Sequence, residues 1–356
     1  MAIGFFISNH GFGHLMRNLP VIRQLLETTE EQLVLVCSEK HNQLAKEYLL
    51  TELPIVAIQR VTLINFDTDI GLKLNAFSLD VDRDATESAV RTYVNHFDEL
   101  VLYGMRLLQN YQISKAVIDI VPWAITASKK MGIPSILIAS FTWIEQYEPL
   151  LPVELVEFYQ SVYEEVDVPI LLELANRPTV QRFPNGVKVE LIARKFHREE
   201  VKKIKAACNR PIVFLSIGGS NSGIDTQLNV ENLPYFFIAT EGLNIRGNNS
   251  LILNKETKNT QDYVMASDYC ISKAGWSTLS EIMLARKPMA LIQRPDVTED
   301  QLLIKQLTDR KSAIGITVNE LENIESILMK LTTYEFQLPN YKNDYDTIAK
   351  IILNTY

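Results

Sequence analysis

Short apolar runs recur along this chain between longer amphipathic stretches, and that rhythm leaves few folds open. Ile3-Gly4-Phe5-Phe6-Ile7 and Ile212-Val213-Phe214-Leu215-Ser216-Ile217 are strand-sized and apolar at almost every position, as parallel strands buried on both faces must be. Leu15, Leu19, Ile22 and Leu26 keep the spacing of one helical face. A first series places strands near 2–8, 33–37, 55–61, 116–119, 135–139 and 188–193, with helices at 15–26 and 85–109. A second places strands near 212–217, 235–239, 251–253, 269–272, 289–293 and 314–317, with helices at 277–286, 299–309 and 319–332. The expected class is α/β, with two doubly wound, Rossmann-like domains.

At roughly 150 residues per domain, 356 residues also favour two domains. The boundary is expected where Arg194-Lys195-Phe196-His197-Arg198 leads into a charged, helix-prone segment and the turn Asn209-Arg210-Pro211. The first domain is then 1–196 and the second 197–340, and a last helix within 341–356 either closes the second or crosses back to the first. With 47% hydrophobic and 22% charged residues the chain has ample material for both cores.

The net charge of −8 argues against nonspecific nucleic-acid binding. Cys37, Cys208 and Cys270 are too few and too scattered for a disulfide framework or a closed zinc site, and no metal-ligand cluster is visible. No apolar run approaches the roughly 18 residues of a membrane span, and the N-terminus reads as a first strand, so a cytoplasmic protein is expected. Lys195, Arg198, Lys202, Lys203, Lys205 and Arg210 could touch an anionic membrane surface. Glu199 and Glu200 among them favour a solvated helix face.

Three segments could carry chemistry. Ser8-Asn9-His10-Gly11-Phe12-Gly13-His14-Leu15-Met16-Arg17 lies at the carboxyl end of the first strand, the edge where open α/β sheets bind ligands. Gly11 and Gly13 let the backbone turn beside Phe12, and His14 at the helix start is placed to act as a general base. His10 is either a ligand contact or a turn residue; His41, His96 and His197 have no local partner pattern and read as surface residues. The third glycine of a dinucleotide fingerprint is missing, which disfavours NAD. Asp119 ends the strand Ala116-Val117-Ile118-Asp119 on the same edge and either supports His14 or caps the helix opened by Pro122 and Trp123.

The second segment, Ser216 to Gly223, offers Gly218, Gly219 and Ser220 to a phosphate or forms an ordinary turn. The third runs from Ser267 to Glu281 and on through Arg286 to Asp296. Here a strand ends at a loop bearing Gly275, and Ser277 and Thr278 begin a helix whose N-terminus can hold a diphosphate. Glu281 could accept hydrogen bonds from ribose hydroxyls or close a capping box with Thr278. Thr62 to Asp84 is the longest stretch without clear periodicity, a candidate functional loop.

Lys273-Ala274-Gly275-Trp276-Ser277-Thr278-Leu279-Ser280-Glu281, followed by Lys287-Pro288 and Arg294-Pro295, resembles the donor-binding motif of the GT-B glycosyltransferases, two domains facing across a cleft. That superfamily includes the transferase that adds N-acetylglucosamine to make lipid II. The resemblance is strongest to the glycosyltransferase-like region of plant arabinokinase and its bacterial relatives, through His10-Gly11-Phe12-Gly13-His14, Asp119-Ile120-Val121-Pro122 and Ser140-Phe141-Thr142-Trp143. It implies an acceptor-side first domain and a nucleotide-sugar-binding second one. Gly218, Gly219, Ser220, Gly275, Ser277 and Thr278 would hold the diphosphate and Glu281 the ribose, with Lys273 and Arg294 in the same motif. Glu299, Asp300 and Gln301 fall where the family contacts the donor sugar. Against the arabinokinase resemblance two departures are expected to matter: no sugar-kinase domain is expected to follow, and the donor loop carries Ala274 and the bulky Trp276.

The implied activity is transfer of a sugar from a nucleotide-diphosphate donor, a UDP-sugar by preference, to an acceptor hydroxyl, with His14 as base supported by Asp119 and inversion at the sugar. No cofactor or metal is expected, since the nucleotide-sugar is a substrate. Two alternatives stay open: a nucleotide-sugar hydrolase on the same fold, which a closed acceptor pocket from 62–84 and 140–150 would favour, and a non-catalytic nucleotide-sugar-binding or partner subunit.

Overall fold

The structure, a computed structural model, describes residues 1–74, 81–217, 227–254, 257–294 and 297–356. The chain divides into two compact units. One is Met1–Lys73, Asp82–Ile192 and Asn343–Tyr356; the other is Ala193–Lys342 with the short piece Leu74–Val81.

In the first unit seven parallel strands form one sheet: β1 Ala2–Ile7, β2 Gln32–Cys37, β3 Val61–Asn65, β4 Ile113–Asp119, β5 Ser135–Ala139, β6 Val168–Leu172 and β7 Val187–Val189. Their order is β3-β2-β1-β4-β5-β6-β7, so succession reverses direction between β1 and β4. All six residues of β1 and all five of β5 are buried, because helices cover both faces.

In the second unit β8 Ile212–Ser216, β10 Phe236–Thr240, β12 Ser250–Leu253, β13 Tyr269–Lys273, β14 Met289–Gln293 and β15 Ile314–Thr317 repeat the plan in the order β12-β10-β8-β13-β14-β15. β9 Gln227–Asn229 and β11 Asn244–Arg246 form a separate parallel pair. Val213, Leu215, Phe237, Ile271, Ala290 and Ile316 meet Ile327, Leu328 and Leu331 in the core on one face of this sheet.

Several elements depart from expectation. The apolar run at 55–61 is not a strand: Pro54 caps a helical turn, Ile55–Ile58, and pairing with β2 begins at Val61. Pro fixes its own φ and frees the next residues to turn helically, and Ile55 and Val56 stay 62% and 66% exposed. The helix expected at 85–109 is two, Arg83–Asn95 and Phe97–Asn110, meeting at His96. The break lets Phe97 pack edge-on against Phe158 with 4.8 Å between ring centroids. β6 is not among the expected strands because Pro169 interrupts its pattern; pairing with β7 begins only after it, at Ile170.

The final helix, Tyr345–Asn354, packs on the first helix, Gly13–Thr28, and so belongs to the first unit. Asp344 receives the Glu190 N–H at 3.1 Å, and Leu191 and Asn343 form an isolated parallel bridge. The chain enters the second unit at Ala193, a few residues before the expected boundary, because Arg194 to His197 are bonded along the helix Thr260–Ala266. Among the described residues no helix is long and apolar enough to cross a membrane.

Candidate active site

In the first sheet β1 and β4 are neighbours with Ile7 opposite Asp119, so the ends of both strands open at the point where strand succession reverses. Ligands of such sheets bind there. After β1 the chain turns through Gly11, whose φ of +71° is a conformation glycine adopts freely, and enters its helix at Gly13. His14, 5% exposed, then places Nδ1 2.6 Å from Asp119 Oδ1.

The carboxylate of Asp119 collects more than the histidine. Arg17 donates through Nε to Oδ2 at 2.7 Å and through Nη2 to Oδ1 at 2.5 Å, and Asn18 Nδ2 donates to Oδ2 at 2.6 Å. Arg17 Nη1 reaches across to Ser140 Oγ at 2.9 Å, beyond the end of β5. Burial alone would raise the Asp119 carboxyl, but the Arg17 and His14 charges and their hydrogen bonds prevail and hold it down at about 2. An ionised carboxylate only accepts, so the proton between it and His14 sits on Nδ1, and Nε2 is left as the basic nitrogen. Arg17 Nη2 also lies 2.9 Å from Nδ1, as two donors converging on one oxygen do.

Asp119 is not a helix cap: Val121 occupies the N-cap position of the helix Pro122–Met131, without a side-chain bond. Between them Ile120 is buried with φ at +55°, rare for a β-branched residue. Its carbonyl accepts from Tyr163 Oη at 2.8 Å.

His41 is not a surface residue. It is buried, its Nε2 donates to Gly11 O at 3.0 Å, its Nδ1 accepts from Ser38 Oγ at 2.7 Å, and Phe12 lies over its ring at 4.8 Å. Burial lowers its pKa, in keeping with a neutral ring that braces the glycine turn. His96 is exposed.

The non-periodic stretch is, in its described part, a fixed wall. Thr68 Oγ1 donates to Ile7 O, Trp123 Nε1 to Thr68 O, Trp143 Nε1 to Asp69 Oδ2 and Tyr147 Oη to Ile70 O. Asp69 Oδ1 also accepts the Asn9 N–H at 3.0 Å, and burial pushes this carboxyl above its ordinary range. His10 stands edge-on to Trp143 at 5.3 Å, and Phe141 edge-on to His14 at 5.6 Å. A Cβ on Gly71 would lie 2.0 Å from His10 Nδ1, so any larger residue there must displace the His10 ring. Residues 66–71 and 140–147 thus meet around His10 and His14; residues 75–80 lie outside the described residues.

In the second unit β8 and β13 are neighbours in the same sense, with Ser216 opposite Ser272. Gly218, Gly219 and Ser220 lie outside the described residues. After Lys273 the chain passes Ala274 and Gly275 into the helix Trp276–Leu284, with Gly275 at the N-cap, Ser277 and Thr278 in the first turn and no acidic residue there. Its positive end is uncompensated by that turn. Burial and the neighbouring Arg294 both lower the pKa of Lys273. Trp276 is 3% exposed and packs inward.

Glu281 closes no capping box, since Thr278 is inside the helix rather than at its N-cap. Its Oε1 instead accepts from Arg194 Nε at 2.8 Å, with both side chains buried. Arg294 holds Asp300, which is wholly buried, through Nε and Nη2 at 2.6 and 2.7 Å. Glu299 is partly exposed and Gln301 exposed. His197 is half-buried: it donates its backbone N–H to Asp262 Oδ1 at 2.7 Å and meets Oδ2 through Nδ1 at 2.9 Å. In the exposed helix Arg198–Ala207, Lys202 and Lys203 pair with Glu199 and Glu200.

Residues 248–350 match the model of the glycosyltransferase family 28 C-terminal domain. UGT2 of Phytolacca americana, solved with UDP-2-fluoro-glucose and pterostilbene, superposes with a TM-score of 0.61 at 11% identity over 99% of this chain and 93% of that one. MurG of Acinetobacter baumannii does so at 0.55 and 14% identity over 99% of both chains. The fold is that of the GT-B glycosyltransferases. This GT-B chain is also 26% identical to L-arabinokinase of Arabidopsis thaliana over 323 residues, 86% of its length but 30% of that protein's.

Proposed function

We propose that this protein is a glycosyltransferase that moves a sugar from a nucleoside-diphosphate donor, UDP-linked by preference, to an acceptor hydroxyl, inverting the anomeric centre. The observation that carries the reading is the buried contact of His14 Nδ1 with Asp119 at 2.6 Å, which makes Nε2 a base at a ligand-binding sheet edge. The acceptor O–H gives its proton to Nε2, its oxygen bonds to the anomeric carbon, and the bond from that carbon to the diphosphate breaks with its electron pair leaving on the phosphate. The imidazolium so formed is stabilised by Asp119.

The donor end of the reading rests on the second unit, where the first turn of helix Trp276–Leu284, with Ser277, Thr278 and Gly275, and Lys273 stand at the sheet edge. Backbone donors and positive charge at a helix start stabilise a departing diphosphate. Glu281 is assigned to the ribose and, with Gly218, Gly219 and Ser220, completes the donor set; Glu299 and Gln301 are assigned to the sugar. UDP is favoured because the superposable UGT2 is bound to a UDP-sugar.

The test is proton NMR of the protein with a panel of nucleotide-sugars and no acceptor. Line-broadening of one donor without turnover supports a transferase and names the donor; rapid, complete release of free sugar supports the hydrolase instead. Once an acceptor is found, His14→Ala should lower kcat by about 10²–10⁴-fold and leave donor affinity intact. Full activity in that variant would overturn the assignment of the base.

A further inference from the structure

Arg194, which the sequence marks only as part of the boundary segment, is buried and bonded through all three guanidinium nitrogens. The segment that carries it, Ala193 to His197, lies along the start of the helix Thr260–Ala266. Gln261 Nε2 donates to Lys195 O at 3.1 Å and the His197 N–H to Asp262 at 2.7 Å. From that strip the Arg194 guanidinium, 5% exposed, spreads three nitrogens over three acceptors. Nε meets Glu281 Oε1 at 2.8 Å, Nη1 meets Lys258 O at 2.6 Å and Nη2 meets Thr260 Oγ1 at 2.8 Å.

A planar fork fixed at three points cannot swing, so the carboxylate it holds cannot swing either. Glu281 needs such a partner, because it lies too far along helix Trp276–Leu284 to be held by the backbone N–H groups of the first turn.

We infer that Arg194 is a positioning residue: anchored on Lys258 and Thr260, it sets the orientation in which Glu281 receives the ribose hydroxyls of the donor. This rests on the assignment of Glu281 given under the proposed function. Arg194 itself contacts neither ribose nor sugar. It acts through the carboxylate, and its removal is read in how well the protein tells a ribose from a sugar ring that lacks hydroxyls.

Calorimetry on the full chain tests this. Among UDP, dTDP, GDP, CDP and ADP the tightest ligand is chosen, and its Kd is compared with that of its 2′,3′-dideoxy form. In the wild-type protein the dideoxy form should bind about tenfold or more weakly, the worth of hydrogen bonds to a charged group. In Arg194→Gln and Arg194→Lys that ratio should collapse to below about threefold, with the parent nucleotide weakened and the dideoxy form nearly unchanged. Thr260→Ala, which keeps the ion pair and removes one anchor, should fall between, and it carries the test if Arg194→Gln does not fold.

A ratio unchanged in the Arg194 variants, or equal weakening of both ligands, marks the pair as merely structural and overturns the inference. If wild-type protein binds a diphosphate but ignores the missing hydroxyls, the assignment of Glu281 falls and Arg194 with it. If no nucleoside diphosphate binds at all, the donor reading itself fails.

Discussion

At the scale of single residues, the proposed chemistry turns on the Asp119 carboxylate. Asp119 accepts from His14, Arg17 and Asn18 in a site sealed from water, so Asp119→Asn keeps the shape but replaces an acceptor oxygen with a second donor facing Arg17. We expect kcat to fall by about 10²-fold or more, with donor binding unaltered, as steady-state kinetics and calorimetry will show. The depressed carboxyl also gives a signed pH dependence. The folded protein holds this proton less tightly than the unfolded chain. The stabilisation is therefore complete above the ordinary value of 3.8 and lost as pH falls towards about 2. The gap in Tm between wild type and Asp119→Asn should narrow over that window; a gap that widens with acid would contradict the ion-pair network. His14 and Asp119 were legible in the sequence because each ends or follows a strand on one edge. The role of Arg17 was not: its spacing of three from His14 shows a shared helix face, but its targets sit on β4 and beyond β5, 102 and 123 residues away.

Among the elements, the decisive one has no regular structure. Residues 66–71 are tied down by two indole N–H groups and one phenol, each from a helix that packs behind them. Trp143→Phe keeps an aromatic ring beside Tyr147 but removes the donor to Asp69, a carboxylate already pushed up by burial, together with part of the buried indole. A loss of about 1–3 kcal/mol is expected from the unsatisfied acceptor, measured by urea denaturation, and a change within error would show that the bond contributes nothing. Sequence flagged this stretch only by its lack of period. What organises it is long-range, from Trp123, Trp143 and Tyr147. The strands were legible for the opposite reason, since burial on both faces writes itself into a continuous apolar run. Prolines mislead that signal: Pro54, just ahead of an apolar run, starts a helical turn, and Pro169 lies inside a strand.

For the whole molecule, the final helix Tyr345–Asn354 matters out of proportion to its length. Ile348, Ala349 and Ile352 are buried against the first helix, and Lys115 Nζ is bonded to the carbonyls of Ile352 and Leu353. Ile352→Ala should cost about 2–5 kcal/mol. The loss should appear first as faster amide exchange in Met1–Ile192, while Ala193–Lys342 exchanges as before. Equal loosening of both units would argue against this division. The ordering of the chain has a further consequence. Everything needed to complete the second unit's main sheet lies within one continuous stretch, but the first unit is unfinished until residues 345–354 have been made. During synthesis the segment that emerges first therefore carries a bare apolar stripe on its first helix throughout, and waits, unlike its neighbour, for a piece of chain some three hundred residues later. A chain stalled or cut before that piece would be expected to be held by chaperones through the first unit, not the second.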